Sequence, residues 1–252
     1  MEITSVNNDM VKEITKLQQK KYRDESGKFL LEGLKAIEEA YKSDIEIEYV
    51  FVTKEKAYHY DFLEEKVVYT TDAVLDKMSS TDTTPDAVAV GIQKHFSEDI
   101  LLSSKRIALF ENIKDLGNLG TILRTATAFS LDAIILFGNT VDLYNPKCVR
   151  ASVGNLWKTP VFQTKDFDFL EKYFKDFRRI ATLPKSADST YLKDFEVHEK
   201  TLIMFGSEAD GLSEDLIKFS TDRITIEMDS SKVESLNLSM SAGIIFYKLF
   251  LL

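Results

Sequence analysis

Three clusters between residues 112 and 239 carry residue types able to position a phosphate, a hydroxyl or a proton. The first is Asn112-Ile-Lys-Asp-Leu-Gly-Asn-Leu-Gly-Thr-Ile-Leu-Arg124, which passes from an apolar run through a glycine-containing turn into a helical pattern. Leu119, Ile122, Leu123 and Ala126 form the apolar stripe of that helix. Arg124 lies about 140° round the helix from Leu119, so it need not serve the core, and its fixed charge suits a phosphate. Asn118 reads either as a helix cap or as a site residue. The second cluster is Phe205-Gly-Ser-Glu-Ala-Asp-Gly-Leu212, where an apolar run meets Gly206 and Glu208 follows two residues later. Glycine lets a ligand approach the backbone, and the carboxyl ends of parallel strands are where ligands bind. The alternative is a strand-to-helix turn with a solvated Glu208. The third is Ile226-Glu-Met-Asp-Ser-Ser-Lys-Val-Glu-Ser-Leu-Asn-Leu-Ser239, which places Ser235, Asn237 and Ser239 at the start of an otherwise apolar helix. These are helix-capping residues, or the polar lining of a pocket walled by Ile226 and Leu236.

Other chemistries lack their residues. No GxGxxG follows an apolar run, and there is no P-loop and no GxSxG elbow, which argues against an NAD enzyme, an NTPase and an α/β-hydrolase. The single cysteine, Cys148, excludes an intramolecular disulfide and a Cys-rich zinc site; it reads as a small buried residue in a reducing compartment. His59, His95 and His198 lie far apart without metal-ligand spacing, so each reads as a surface or satisfied histidine and no metal is expected.

The elements that must hold these clusters follow from pattern. The 252 residues are 44% apolar and 29% charged with ten Gly and four Pro, which excludes a disordered or collagenous chain and leaves room for one large domain or two. Short strands are predicted at 28–32, 49–53, 66–69 and 87–92, with helices at 33–41 and 72–78, giving an α/β unit over residues 1–95. Residues 96–104 read as a linker. A second unit over 105–252 has strands at 106–110, 133–137, 179–183, 202–205 and 223–228. Its helices are expected at 118–129, 146–152, 167–177, 213–219 and 236–252. Strands alternating with helices imply a mostly parallel sheet covered on both faces.

The net charge of −9 argues against a protein that coats nucleic acid over its whole surface. The charge is uneven: +1 over residues 1–28, −7 over 29–110, +2 over 111–165 and −5 over 166–252. Val11, Ile14 and Leu17 recur at helical spacing among Lys12, Lys16, Lys20, Lys21 and Arg23. That segment is either a solvated amphipathic helix or a basic face for a phosphate backbone. The first residues contain no apolar signal-peptide region, so a cytoplasmic protein is expected. The apolar run 236–252 is shorter than the roughly 20 residues of a membrane span and carries Asn237, Ser239, Ser241 and Lys248; it reads as a buried or dimer-interface helix.

Taken in order, the three clusters resemble the motifs of the SpoU/TrmH family of RNA ribose 2′-O-methyltransferases, in the SPOUT superfamily. The NxG-helix-Arg motif corresponds to Asn118-Leu-Gly120 and Arg124, the GxExxGL turn to Gly206 through Leu212, and the SLNxS motif to Ser235 through Ser239, followed by Ala242-Gly243. Val149-Arg-Ala-Ser152-Val-Gly154 resembles the family's RAS-x-G segment. The likeness covers 105–252 well. More loosely, residues 1–95 resemble the small ribosomal-protein-like α/β domain that precedes such catalytic domains, through Lys28-Phe-Leu-Leu-Glu-Gly33 and the Thr84-Pro85 turn before Val88-Ala-Val90.

The resemblance implies an α/β trefoil-knot domain with a parallel sheet, preceded by an RNA-binding domain, and a homodimer formed through the C-terminal domain. It implies S-adenosylmethionine as cofactor, held by Phe205, Gly206, Glu208, Gly211, Ile226, Met228, Ser235, Leu236 and Asn237. It implies methyl transfer to a ribose 2′-hydroxyl of RNA, most simply ribosomal RNA, with Arg124, Asn118, Glu208, Asn237 and Ser239 as the catalytic group. The alternatives are a transfer-RNA ribose methyltransferase, a non-catalytic RNA-binding relative, or a methyltransferase for a base or small molecule. Lys12, Lys16, Lys20, Lys21, Arg23 and Arg150 are the candidate RNA-contacting residues. In the family the Arg matching Arg124 has been proposed as the base. A guanidinium holds its proton too firmly for that, so Arg124 is read as a phosphate clamp that also orients the hydroxyl. Three positions depart from the pattern: Leu116 stands for Pro, Ser130 for Gly, and Glu227 for the Pro of an Ile-Pro-Met strand.

Overall fold

A computed structural model describes residues 1–186, 188–197, 200–229 and 231–251. His198 lies outside them, and His59 and His95 are exposed. Along the first part of the chain the elements are α1 (Asp9–Lys16), α2 (Lys20–Ser26), β1 (Lys28–Glu32), α3 (Leu34–Lys42), β2 (Ile47–Val52), β3 (Val67–Tyr69), α4 (Asp72–Met78) and β4 (Ala87–Ile92). Then come α5 (Ile100–Ser103), β5 (Arg106–Glu111), α6 (Leu116–Ala128), β6 (Ala133–Phe137), α7 (Pro146–Ser152), β7 (Val161–Thr164), α8 (Phe167–Phe174) and β8 (Arg178–Thr182). The last are β9 (Thr190–Tyr191), β10 (Thr201–Phe205), α9 (Glu214–Phe219), β11 (Asp222–Thr225) and α10 (Leu238–Phe246), which runs into a wider π-type turn at Tyr247–Leu251. The chain forms two compact units: residues 1–95 with 142–157, and residues 96–141 with 158–252.

The first unit carries a four-stranded sheet in the order β1-β4-β2-β3. Only β2 and β3 run parallel; β4 is antiparallel to both β1 and β2, so this sheet is mixed. Val11, Ile14 and Leu17 bury against Leu30, Phe51, Val74, Leu75 and Val88, as their spacing requires. The basic segment is two helices rather than one. Asn8 caps α1, accepting from Met10 N at 2.9 Å, and the chain breaks at Leu17–Gln19 before α2.

That break turns Arg23 inward, which corrects its assignment as an RNA contact. Arg23 is 1% exposed; its guanidinium donates to the Leu17 carbonyl at 2.6 Å and through Nε to Asp142 Oδ2 at 2.9 Å, and Nη2 pairs with the same carboxylate. A buried cation needs such a partner. Segment 142–157 therefore completes the first unit. Its Tyr144 ring packs 4.8 Å from Phe29, and Tyr144 Oη donates to the Lys94 carbonyl at 2.9 Å. Trp157 is 5.9 Å from Phe29 and donates to the Glu39 carbonyl at 3.3 Å. Cys148 is buried, as its type suggested, and burial pushes its thiol up to about 12.

The second unit is a seven-stranded sheet in the order β7-β6-β5-β10-β8-β11-β9, and every pairing is parallel. Side chains alternate across it. On one face Ile107, Leu109, Leu202 and Met204 bury with Leu170 and Phe174 of α8 and Leu216 of α9. On the other, Phe110 stacks on Phe205 at 4.8 Å, and Phe205 meets Phe246 of α10 edge-on at 5.9 Å. Residues 96–104, expected as a linker, include α5, whose Leu101 is 1% exposed within this core. The short strands β7 and β9 and the 3-10 turns at Ala57–Lys66 were not signalled by periodicity. Among the described residues no helix is long and apolar enough to cross a membrane.

Candidate active site

The sheet order brings two of the three clusters together. β5 and β10 are neighbours, with Phe110 opposite Phe205, so the segments leaving their carboxyl ends emerge side by side. The chain builds to one side of β5 through β6 and β7, and to the other through β10 and β8. A crevice at such a reversal is where open parallel sheets bind ligands.

From β5 the chain reaches α6, whose N-cap is Asp115: its Oδ1 accepts from Asn118 N at 2.7 Å. The cap is thus three residues earlier than Asn118, which leaves the Asn118 side chain free to act. Its Nδ2 donates to Glu208 Oε1 at 2.7 Å, and its Oδ1 accepts from Asn237 Nδ2 at 3.0 Å. Asn237 is itself the cap of α10: its Oδ1 accepts from Ser239 N at 2.9 Å, Ser239 Oγ at 2.7 Å and Met240 N at 3.3 Å. One hydrogen-bonded chain, Glu208–Asn118–Asn237–Ser239, therefore joins all three clusters. Capping and site roles coexist in Asn237.

Glu208 sits on a tight turn. Ser207 and Gly211 exchange backbone hydrogen bonds, each 3.1 Å, and Ser207 Oγ accepts from Asp210 N at 3.0 Å. A Cβ at Gly206 would fall 1.9 Å from the Gly211 carbonyl carbon and 2.1 Å from Leu212 N, so only glycine fits there. Buried Glu111, at the end of β5, accepts from Ser213 N at 2.7 Å and ties the far end of this loop to the sheet. Neither Asp115 nor Glu111 was singled out from sequence. The Asp three residues before Asn118 was a legible capping signal; Glu111 ends a strand and gave none.

The remaining site residues differ in placement. Arg124 is exposed and makes no hydrogen bond or ion pair among the described residues, so the structure does not join it to the polar chain. Phe205 is 1% exposed between Phe110 and Phe246, so only its backbone is left to meet a ligand. Ile226 and Leu236 are half-buried, while Met228 and Ser235 are exposed. β11 stops at Thr225, so Ile226 through Met228 form its trailing segment; there Glu227 accepts from Lys193 N at 3.2 Å. The sheet order also places the end of β8, Thr182, between β10 and β11, a neighbour of these strand ends that no sequence motif announced. Among the described residues no cluster of His, Cys, Asp and Glu could hold a metal.

In the first unit the α1 and α2 lysines are each matched by a carboxylate of their own helix. Lys12 lies 2.9 Å from Asp9, Lys16 2.6 Å from Glu13, Lys20 2.6 Å from Asp24 and Lys21 3.9 Å from Glu25. Arg150 is paired with Glu32 at 2.7 Å.

The model of the SpoU rRNA methylase family matches residues 105–247, the stretch that carries the whole hydrogen-bonded chain. The chain belongs to the SpoU family. Residues 8–89 match an MRM3-like substrate binding domain. An uncharacterized tRNA/rRNA methyltransferase, slr1673, of Synechocystis is 31% identical over 98% of this chain and 92% of its own. The 23S rRNA (guanosine(2553)-2′-O)-methyltransferase RlmP of Bacillus subtilis is 27% identical over 98% of both. The AdoMet-bound rRNA methyltransferase of Sinorhizobium meliloti superposes with a TM-score of 0.87 at 26% identity, covering 98% of this chain and 96% of that one. SpoU membership accounts for the parallel sheet and for the ordered appearance of the three clusters.

Proposed function

We propose that this SpoU protein transfers a methyl group from S-adenosylmethionine to a ribose 2′-hydroxyl of ribosomal RNA. The observation that carries the reading is the chain Glu208–Asn118–Asn237–Ser239, which joins family motif residues from three separate segments. The names of the Bacillus and Sinorhizobium relatives support the substrate and the cofactor. Half-buried Ile226 and Leu236 are apolar surface for such a cofactor, and Gly206, where no Cβ fits, lets it approach the backbone.

When bound, S-adenosylmethionine supplies a methyl on a sulfonium, whose sulfur leaves readily. What this chain adds is position and an outlet for the hydroxyl proton. Asn118 fixes Glu208 through Oε1, and Oε2, which has no partner among the described residues, is the acceptor of the 2′-hydroxyl proton in this reading. Asn237 in turn fixes Asn118. Arg124, unpaired and permanently charged, clamps a phosphate beside the reacting ribose. Lys12, Lys16, Lys20 and Lys21 add weak, salt-sensitive attraction, because each already has a carboxylate within reach.

The second unit is read as knotted and the molecule as a homodimer. Met240, Ile244 and Tyr247, 60%, 39% and 50% exposed at i, i+4 and i+7, give α10 and the turn after it an uncovered apolar stripe for a second copy. The deciding experiment measures transfer of labelled methyl from S-adenosylmethionine to deproteinised ribosomal RNA, followed by alkaline digestion. Alkali-resistant dinucleotides carrying the label are expected from wild type, with at least about a hundredfold less from Arg124→Ala. Label in bases, or cofactor binding with no transfer to any RNA, refutes the reading; the second result marks a non-catalytic relative.

A further inference from the structure

Glu32 ends β1 and is almost wholly buried: its side chain is 2% exposed. Both of its oxygens are used. Oε1 accepts from Ser80 N at 2.9 Å and Ser80 Oγ at 3.0 Å, and Oε2 accepts from Arg150 Nη1 at 2.7 Å. Arg150 Nη1 also donates to Ser80 Oγ at 2.6 Å. All of this engages a single nitrogen of the guanidinium. Nε and Nη2 have no partner among the described residues, and the Arg150 side chain is 32% exposed. The cation is held at one corner and open along the opposite edge.

Lys147 stands three residues earlier on α7, which places it on the same side of the helix. It is exposed, and its ammonium has no partner among the described residues. This contrasts with α1 and α2 of the same unit, where every exposed lysine faces a carboxylate. A planar donor edge fixed by a buried carboxylate, beside a free ammonium, is matched by the oxygens of a phosphodiester.

We propose that Lys147 and the open edge of Arg150 clamp a backbone phosphate of the RNA substrate, and that Glu32 is the positioning residue that presents Arg150 for it. This rests on the RNA-methylating function proposed above. Glu32 does not touch RNA; it acts through Arg150, with Ser80 bracing the pair.

The test is equilibrium binding of the full-length protein to deproteinised ribosomal RNA between about 50 and 200 mM KCl, without S-adenosylmethionine. Arg150→Ala is expected to weaken binding about tenfold and to flatten the dependence of log K on log salt by about one phosphate's worth. Arg150→Lys keeps the charge and should keep the slope. Glu32→Gln, which retains size and an acceptor oxygen, is expected to lose roughly threefold alone and nothing further in the Arg150→Ala background, because positioning has nothing left to position. An unchanged salt slope in Arg150→Ala overturns the proposal, even if the unfolding midpoint falls. So does a Glu32→Gln loss that adds in full to that of Arg150→Ala. Because no methyl donor is present, failure of the clamp and failure of the methyl-transfer reading register in different experiments.

Discussion

Asn118 and Glu208 are 90 residues apart in the chain and 2.7 Å apart in space, joined by Nδ2 donating to Oε1. The contact demands an amide. Asn118→Asp replaces the donor with a second carboxylate facing Glu208 and also removes nothing from the acceptor side toward Asn237. Methyl transfer should fall about a hundredfold, the scale of losing geometry near a reacting centre, with little change in thermal midpoint. Steady-state rates on ribosomal RNA check this; near-normal turnover would sever Asn118 from catalysis.

Two glycines of the same loop should respond differently to alanine. Gly206→Ala drives a methyl into the backbone of Gly211 and Leu212, which cannot step aside, so S-adenosylmethionine affinity should drop more than about tenfold. At Gly211, φ is +69° but nothing lies within 4 Å of the added carbon; only left-handed strain of about 1–2 kcal/mol is expected. Calorimetric titration with the cofactor ranks the two, and equal losses would count against the close approach at Gly206.

The Arg23–Asp142 pair should be asymmetric. Asp142→Ala strands a guanidinium that is 1% exposed with only the Leu17 carbonyl, at a cost of about 3–5 kcal/mol. Arg23→Met removes the buried charge itself and leaves Asp142, 14% exposed, able to reach water, so it should cost less. Urea unfolding followed through Trp157 separates them; the opposite order would mean that burial does not govern the pair.

Alkali should loosen the first unit. Burial pushes the Cys148 thiol from its usual 9.0 up to about 12 and the Tyr144 phenol from 10.0 up to about 12, and it raises Tyr60 further. Folded values above unfolded ones mean that the unfolded chain sheds these protons first. The stability they lend is complete below about pH 9 and drains away as pH climbs towards 12. The single tryptophan, Trp157, is 2% exposed in this same unit, so its emission should shift red across that window. Cys148→Ala should move the onset upward; an onset that ignores this change would discount the thiol.

Much of the site was readable because its residues sit in ordered motifs at strand ends, and a parallel sheet gathers strand ends on one edge. Asn118 and Glu208 were legible for that reason, and Asn237 as a polar residue at the entry of an apolar helix. Arg23 was not: among five basic residues of one segment, nothing in its spacing says that it turns inward, since its partner Asp142 is 119 residues away. Glu32 was equally silent, as a strand-end glutamate normally faces water. The mixed sheet of the first unit also escaped, because alternation of strands and helices does not specify strand direction when β4 inserts between β1 and β2. What remained hidden are long-range pairings of charge, which no local period encodes.

The membership of segment 142–157 in the first unit bears on how such proteins can be recombined. A cut at His95 would not release a self-sufficient module. It would leave Arg23 without its carboxylate, Phe29 without the rings of Tyr144 and Trp157, and Glu32 without Arg150. Exchanging the first unit between relatives therefore requires three crossovers, after residues 95, 141 and 157, rather than one. A lineage in which residues 1–95 alone were swapped would have to re-evolve the α7 segment to match its new host.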